Sequence, residues 1–193
     1  ADPDRQREVL VAIKNQLEET VRQTNQMLSL ARLDSADFAL EMLDVTAIAE
    51  KVTRDWWLEA RASGVDLGFE PDNKPLLLNV HGPLLQEALS NLLHNAIRYT
   101  PRGGQVTVKL RYSADSGMIT VLDSGPGMSA DDLKRAGDRF FRGSNVTQPG
   151  SGLGLAIVRS VAVRLGGELR LSANADGPGL VASIVLPLVE NAD

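Results

Sequence analysis

Apolar residues recur along the first 36 residues at a spacing that fits one long helix. The stripe consists of Leu10, Ile13, Leu17, Val21, Met27, Leu28 and Ala31. Asp2 is expected to cap this helix, and Pro3 stands where a first-turn proline is tolerated. So narrow a stripe is typical of a helix–helix seam, although packing on the helix's own domain is the alternative. The pattern predicts that the helix buries its stripe against a partner helix.

From residue 37 onward, periodic apolar segments alternate with turn residues. The predicted elements are a helix over 46–62 ended by Gly64, strands over 65–69 and 76–80, a helix over 83–98, a hairpin of 106–112 with 118–122, a short helix opened by Ser129, a helix over 152–165, and a hairpin of 168–173 with 180–186. Residues 138–151 are polar and Gly-rich, and we expect a mobile loop there.

These elements predict an α+β fold in two layers. A mixed, mostly antiparallel sheet carries helices on one face, and the long N-terminal helix precedes it. We expect two segments, with residues 1–36 as the helix and 37–193 as the folded domain. No internal repeat is visible.

Composition narrows the class of protein. The chain has 193 residues, 43% of them hydrophobic, a net charge of −5, two His and no Cys. A core of this apolar content predicts a globular, soluble chain, and the acidic balance argues against nucleic acid as the main partner. Absent cysteines argue against disulfides and thiolate metal sites. The sequence has no signal peptide and no apolar run of roughly 18–20 residues. Because it begins with Ala1, we expect it to be part of a longer protein.

Two asparagines one helical turn apart form the first candidate site. Asn91 and Asn95 share a face of the helix over 83–98. Their amide oxygens, with phosphate oxygens and water, could complete the octahedral shell of Mg²⁺, which uses few protein ligands. The simpler interpretation is that Asn95 bonds the backbone near the helix end.

A second candidate is the segment Asp123-Ser-Gly125-Pro-Gly127, which follows a predicted strand. The carboxylate could accept a hydrogen bond from the exocyclic amine of adenine, and the glycines let the backbone approach the ring. An ordinary strand-to-loop turn is the simpler alternative. Gly125 and Gly127, with Ala130, also match the dinucleotide-binding fingerprint. We reject that interpretation because the preceding strands form an antiparallel hairpin.

The third candidate is Gly150-Ser151-Gly152-Leu153-Gly154-Leu155, which leads into a helix. Free N–H groups at a helix start bind phosphate, and the sequence contains no P-loop motif. Before it lies Arg139-Phe140-Phe141-Arg142. Two phenylalanines in a polar segment are expected to dock, either as a lid over nucleotide or on a partner helix, or else to anchor the loop to the core.

Several ordered motifs together resemble the catalytic ATP-binding domain of sensor histidine kinases, a branch of the GHKL superfamily with a Bergerat-type ATP fold. They are Asn-Leu-Leu-His-Asn-Ala at 91–96, Arg-Tyr-Thr-Pro at 98–101, Asp-Ser-Gly-Pro-Gly-Met at 123–128, Arg-Phe-Phe-Arg-Gly at 139–143 and Gly-Ser-Gly-Leu-Gly-Leu-Ala-Ile at 150–157. The segment 5–33 is similar to the second helix of that family's dimerisation bundle.

The resemblance implies ATP and Mg²⁺ as ligands. Asn91 and Asn95 would bind the metal, and with Arg98 they would form the catalytic set. The implied nucleotide-binding residues are Asn95, Arg98, Tyr99, Asp123, Gly125, Gly127, Phe140, Phe141, Gly150, Ser151, Gly152, Leu153, Gly154 and Leu155. The γ-phosphate would go to a histidine on a dimerisation helix and then to a response regulator. The implied parent is a homodimeric bacterial inner-membrane receptor with this domain in the cytoplasm.

The sequence departs from the family pattern in two places. Neither His81 nor His94 has the Glu/Asp-Leu-Arg-x-Pro context of the phosphate acceptor, and we expect both to be structural. Autophosphorylation by this chain alone is therefore not expected. The segment Gly177-Pro-Gly179-Leu-Val-Ala matches the last glycine motif only loosely. The superfamily's hydrolases carry a general-base Glu where Asn91 stands, so we expect slow hydrolysis. The alternatives are a GHKL ATPase and a degenerate nucleotide-binding regulatory module.

Overall fold

A computed structural model describes residues 3–35, 38–143 and 150–188. The chain divides into two compact units, Ala1–Ala36 and Asp37–Asp193. The predicted cap Asp2 and residues 144–149 of the predicted mobile loop lie outside the described residues. Within them, no helix combines the length and apolar character needed to cross a membrane.

The first unit is one helix, α1 (Pro3–Ser35), as its periodicity predicts. Six residues of the predicted stripe are each half or more exposed in the chain: Leu10, Ile13, Leu17, Val21, Met27 and Leu28. Thr20 and Thr24 interrupt the stripe, but their hydroxyls donate to carbonyls one turn back, at 2.9 Å each. The hydroxyls that interrupt the stripe are therefore already bonded within the helix, and the rest of the stripe is apolar and exposed.

The second unit is built on a five-stranded sheet. Its strands are β2 (Asp66–Glu70), β4 (Gln105–Tyr112), β5 (Ser116–Asp123), β6 (Glu168–Ala173) and β7 (Leu180–Pro187). They are ordered β2-β4-β5-β7-β6, and only the β2–β4 pair is parallel. Antiparallel β4–β5 and β6–β7 pairing confirms both predicted hairpins. It also removes the dinucleotide-binding alternative, which needs a parallel strand–helix–strand unit.

Alternate residues of these strands form the core because side chains along a strand point to opposite faces. Val106, Val108, Ile119, Val121 and Ile184 are buried on one face. That face is covered by α4 (Gly82–Tyr99) and α6 (Gly154–Arg164). The predicted two-layer α+β sandwich is confirmed.

The other sheet face is polar. Lys109 lies 3.1 Å from Glu70, and Arg170 lies 2.6 Å from Glu168. The hydroxyls of Thr120 and Ser183 are 2.8 Å apart across the β5–β7 pair. Nothing on this face resembles the three candidate motifs.

A second, two-stranded sheet was not predicted. It pairs β1 (Glu41–Asp44) antiparallel with β3 (Leu77–Val80). The predicted strands 65–69 and 76–80 therefore belong to different sheets. Four residues are too few for β1 to show an alternating pattern of its own.

The helix predicted over 46–62 is two helices, α2 (Val45–Asp55) and α3 (Trp57–Ser63). The break falls at Trp56, whose N–H is shared between the carbonyls of Val52 and Thr53 at 3.2 Å. Gly64 ends α3 in the left-handed conformation, as predicted. The short helix α5 (Ala130–Arg135) is capped by the Ser129 hydroxyl, which accepts from Asp132 N at 3.1 Å.

Candidate nucleotide site

Helix α4 positions the two asparagines. Its apolar residues are buried against the sheet, while Asn91 and Asn95 lie on the partly buried side. Asn91 Nδ2 donates to the Glu87 carbonyl one turn back at 3.0 Å, which fixes the orientation of the Asn91 amide. The two amides therefore stand one turn apart on one helix face, as predicted.

The start of α6 meets this face. A Cβ added to Gly154 would lie 3.1 Å from Asn95 Nδ2, 3.4 Å from Asn95 Oδ1 and 3.6 Å from Asn91 Oδ1. The first residue of α6 therefore faces both amides, and a side chain at this position would fill the space between them. Amide oxygens and a helix N-terminus converge here, which is a combination suited to a metal ion and phosphate.

Gly150, the first glycine of the loop that leads into α6, faces the end of α4. A Cβ on Gly150 would lie 3.8 Å from an Arg98 guanidinium nitrogen and 3.9 Å from the Tyr99 hydroxyl. The Ser151 hydroxyl accepts from Leu153 N at 3.2 Å, and Leu153 and Leu155 are buried. A cation and a phenol thus stand beside the glycine loop, where the phosphates of a nucleotide would lie.

Asp123 ends β5 and is 8% exposed. Its Oδ1 accepts from Gly125 N at 2.8 Å and from Leu180 N at 3.2 Å. Burial raises the pKa of this carboxyl, and the two backbone N–H groups partly oppose that rise. Within the described residues Oδ2 accepts no hydrogen bond. Asp123 is thus a rigidly held carboxylate with one oxygen left to accept from a ligand.

The loop after Asp123 lies against the β6–β7 connection. A Cβ on Gly127 would lie 2.9 Å from the Gly179 carbonyl, and one on Gly125 would lie 2.9 Å from Asp123 Oδ1. Gly179 has a φ of +132° and stands so close to Asp123 that a Cβ would overlap the Asp123 carbonyl. Sequence reasoning did not assign Gly179 and Leu180 to the site. Both residues meet Asp123, which lies more than 50 residues earlier in the sequence. The only sequence signal for them was the segment 177–182, which matches the last glycine motif loosely.

The segment with the two phenylalanines crosses the glycine loop. Phe140 N donates to the Gly152 carbonyl at 3.1 Å. Gly152 has a φ of +68°, and a Cβ there would lie 2.7 Å from the backbone of Phe140 and Phe141. Because its φ is left-handed, Gly152 cannot begin α6, and the predicted start of that helix moves to Gly154.

The two phenylalanine side chains behave differently. The Phe141 ring lies 4.6 Å below the Arg135 guanidinium, a distance at which cation–π attraction acts. Phe140 is 65% exposed and has a φ of +64°, the only positive φ among non-glycine residues of the described chain. The structure therefore gives Phe141 a docking contact inside the chain and leaves the Phe140 ring available for an external one.

Both histidines lie outside this cluster. His81 Nδ1 accepts from Leu84 N at 3.3 Å and so caps α4, while the His81 ring is 5.0 Å from that of Phe38. The His94 ring is 5.8 Å from that of Trp56. Both contacts are structural ones, as expected.

The residues around Gly154 fit Mg²⁺ bound together with phosphate. The described residues contain no group of three or more acidic or His side chains close enough to hold a metal by themselves. Two neutral amides beside a helix N-terminus instead suit a cation that brings its own anionic ligand. The chemistry of these groups suits a metal–phosphate group, and the free Asp123 oxygen suits a hydrogen-bond donor on a ligand.

Comparison with known proteins agrees with this geometry. Residues 81–190, more than half of the chain, match the family described as histidine kinase-, DNA gyrase B-, and HSP90-like ATPase. The match begins at the cap of α4 and contains all three candidate motifs.

Relatives of the chain include the swarming motility regulation sensor protein RssA of Serratia marcescens, 32% identical over 184 residues, with 94% of this chain and 39% of the relative covered. The sensor protein QseC of Escherichia coli O157:H7 is 33% identical over 192 residues, with 95% of this chain and 40% of the relative covered. The chain thus spans about two fifths of the length of these relatives. Among solved structures, the mycobacterial sensor histidine kinase MprB is 32% identical, with a TM-score of 0.68. The match covers 76% of this chain and 97% of the MprB chain.

Proposed function

Since the chain belongs to the family of histidine kinase-, DNA gyrase B- and HSP90-like ATPases, we propose that it transfers the γ-phosphate of ATP to a histidine. Its ATP-binding catalytic domain is homologous to that of two-component sensor histidine kinases. The observation that carries the proposal is that Gly154, at the start of α6, faces the amides of both Asn91 and Asn95 across a space that a Cβ would fill.

Each part of the site has a role in this reaction. Asp123 Oδ2 accepts from the exocyclic amine of adenine, because its other oxygen is already held by backbone. Gly150, Gly152 and Gly154 receive the phosphates, with Arg98 and Tyr99 beside them. Asn91 and Asn95 would hold Mg²⁺, which would neutralise phosphate charge when bound. These groups position the γ-phosphate for in-line attack.

The acceptor supplies the nucleophile. A neutral imidazole nitrogen attacks the γ-phosphorus, an N–P bond forms, and the bond to the β,γ-bridging oxygen breaks to release ADP. An imidazole attacks without losing a proton first, so positioning carries much of the catalysis. Water, in contrast, needs a base, and the Asn91 amide cannot take a proton. We therefore expect slow hydrolysis in the absence of the histidine.

The partners follow from the same proposal. The acceptor histidine lies on a dimerisation helix beyond this sequence, and the exposed stripe of α1 supports its assignment as the second helix of that bundle. The parent is a homodimeric inner-membrane receptor that passes phosphate to the receiver domain of a response regulator. The exposed ring of Phe140 provides a contact for the acceptor helix.

Calorimetric titration with ATP, with and without Mg²⁺, tests the proposal when phosphate release is assayed in the same preparation. Mg²⁺-dependent binding with negligible release supports a kinase domain. Rapid release would instead indicate a GHKL ATPase, and no binding would indicate a degenerate regulatory module.

A further inference from the structure

Glu87 is an acidic residue on α4 that the proposed mechanism does not use. It stands four residues before Asn91 and eight before Asn95, so the three side chains share one helix face. The Glu87 side chain is partly buried. Its backbone carbonyl already bonds the Asn91 amide. The position of Glu87 is therefore coupled to that of the first proposed metal ligand.

Among the described residues, no cation pairs with the Glu87 carboxylate. Elsewhere in the second unit, helix acids pair with a basic residue one turn away, as Asp55 does with Lys51 at 2.9 Å and Asp131 with Lys134 at 3.0 Å. The neighbours of Glu87 at those spacings are Pro83, Leu84, Ser90 and Asn91. Across residues 3–35, 38–143 and 150–188, the Glu87 carboxylate has neither an ion-pair nor a hydrogen-bond partner. A partly buried charge is more costly than an exposed one unless a ligand compensates it.

A hydrated cation at the asparagine pair would compensate it. Residues four apart on a helix have Cβ atoms roughly 5–6 Å apart, which brings a glutamate carboxylate close to whatever the Asn91 amide binds. Mg²⁺ keeps several of its waters in protein sites, and those waters need acceptors. The Asn91 and Asn95 amides are neutral, so Glu87 is the anionic group that this helix face offers the metal.

We propose that the Glu87 carboxylate accepts hydrogen bonds from water bound to Mg²⁺ and so sets the Mg²⁺ requirement of nucleotide binding. The inference rests on the proposed function, because it needs Mg²⁺ and ATP at this site. Glu87 acts as a positioning residue. It favours the metal-bound nucleotide and, through charge repulsion, disfavours metal-free ATP phosphates.

The test measures ATP affinity across a Mg²⁺ series, with EDTA as the zero point, for the wild type and Glu87→Gln. Loss of an outer-shell acceptor weakens metal binding by roughly tenfold or more. Glu87→Gln should therefore need roughly tenfold more Mg²⁺ for half-maximal ATP binding. Its ATP affinity at saturating Mg²⁺ should be unchanged, and its affinity in EDTA should be equal or higher.

The double variant Gln86→Glu/Glu87→Gln is the matched control, since it keeps the net charge and moves the carboxylate about 100° around the helix. It should show the same raised Mg²⁺ requirement as Glu87→Gln. An unchanged requirement in Glu87→Gln overturns the inference while leaving the proposed function intact. Recovery in the double variant also overturns it, because net charge would then suffice. Absence of ATP binding by the wild type at every Mg²⁺ concentration overturns both proposals.

Discussion

Replacing Gly154 by Ala should weaken nucleotide binding without destabilising the fold. The new methyl would lie 3.1 Å from Asn95 Nδ2 and 3.6 Å from Asn91 Oδ1. The closer distance is tighter than a relaxed contact of about 3.5–4.0 Å, so the Asn95 amide must move by a few tenths of an ångström. Mg²⁺ demands ligands at about 2.0–2.1 Å in near-ideal octahedral geometry, and it does not tolerate such a shift well. We expect Mg²⁺-dependent ATP affinity to fall by roughly tenfold or more.

The same change should not destabilise the protein. Gly154 is the first residue of α6 and has no positive φ, so its backbone conformation accepts Ala without strain. The melting temperature should therefore stay within about 2–4 °C of the wild-type value.

Gly177→Ala is the matched control, because a Cβ there meets nothing within 4 Å. Calorimetry and thermal melts on the wild type and both variants provide the assay. Wild-type ATP affinity in Gly154→Ala would refute the assignment of the amide pair to the metal, and a clear loss of stability would contradict the expectation that the methyl displaces the amide and leaves the fold intact.

Three further predictions concern single side chains. Burial raises the pKa of the Asp123 carboxyl, so ATP affinity measured by calorimetry should fall as the pH approaches the ordinary aspartate range from above. The same protonation relieves the burial penalty and raises stability, whereas Asp123→Asn should bind ATP weakly at every pH; a flat wild-type profile would contradict this. The Thr100 hydroxyl is buried and is the only such side-chain atom without a hydrogen-bond partner in the described chain, so Thr100→Val should raise the free energy of unfolding by about 1 kcal/mol in urea titrations; a loss would show that the hydroxyl is bonded. His81 Nδ1 accepts from Leu84 N and so caps α4, and His81→Ala should therefore lower the free energy of unfolding by about 0.5–2 kcal/mol in urea titrations. His81→Asn keeps an acceptor and should lose less stability, and equal losses in the two variants would refute the role of the cap.

Much of the fold was accessible from the sequence because its signals are local. The helix over 83–98 shows a strong apolar stripe and was placed within one residue at each end. Both hairpins follow from alternation broken by turn residues. Two of the errors arise from long-range effects: β1 exists because β3 pairs with it, and α2 ends where Trp56 packs near His94.

The residues of the candidate site could be predicted from the sequence, but the contacts between its segments could not. Spacing placed Asn91 and Asn95 on one face, and the structure adds that this face lies opposite Gly154, at the start of α6. Nothing local indicates that the Leu180 N–H holds Asp123, since 57 residues separate them. Nor does spacing show that Gly152 is left-handed, which moves the start of α6 by two residues.

The most direct test of the central claim is an NMR titration of the ¹⁵N-labelled chain with Mg²⁺ and a non-hydrolysable ATP analogue. The account predicts the largest shifts at the side-chain amides of Asn91 and Asn95 and at the backbone amides of Gly125 and Gly154. Thr120, on the opposite face of the sheet, should stay unchanged. Shifts centred on that opposite face, with the α4 asparagines unmoved, would contradict the account.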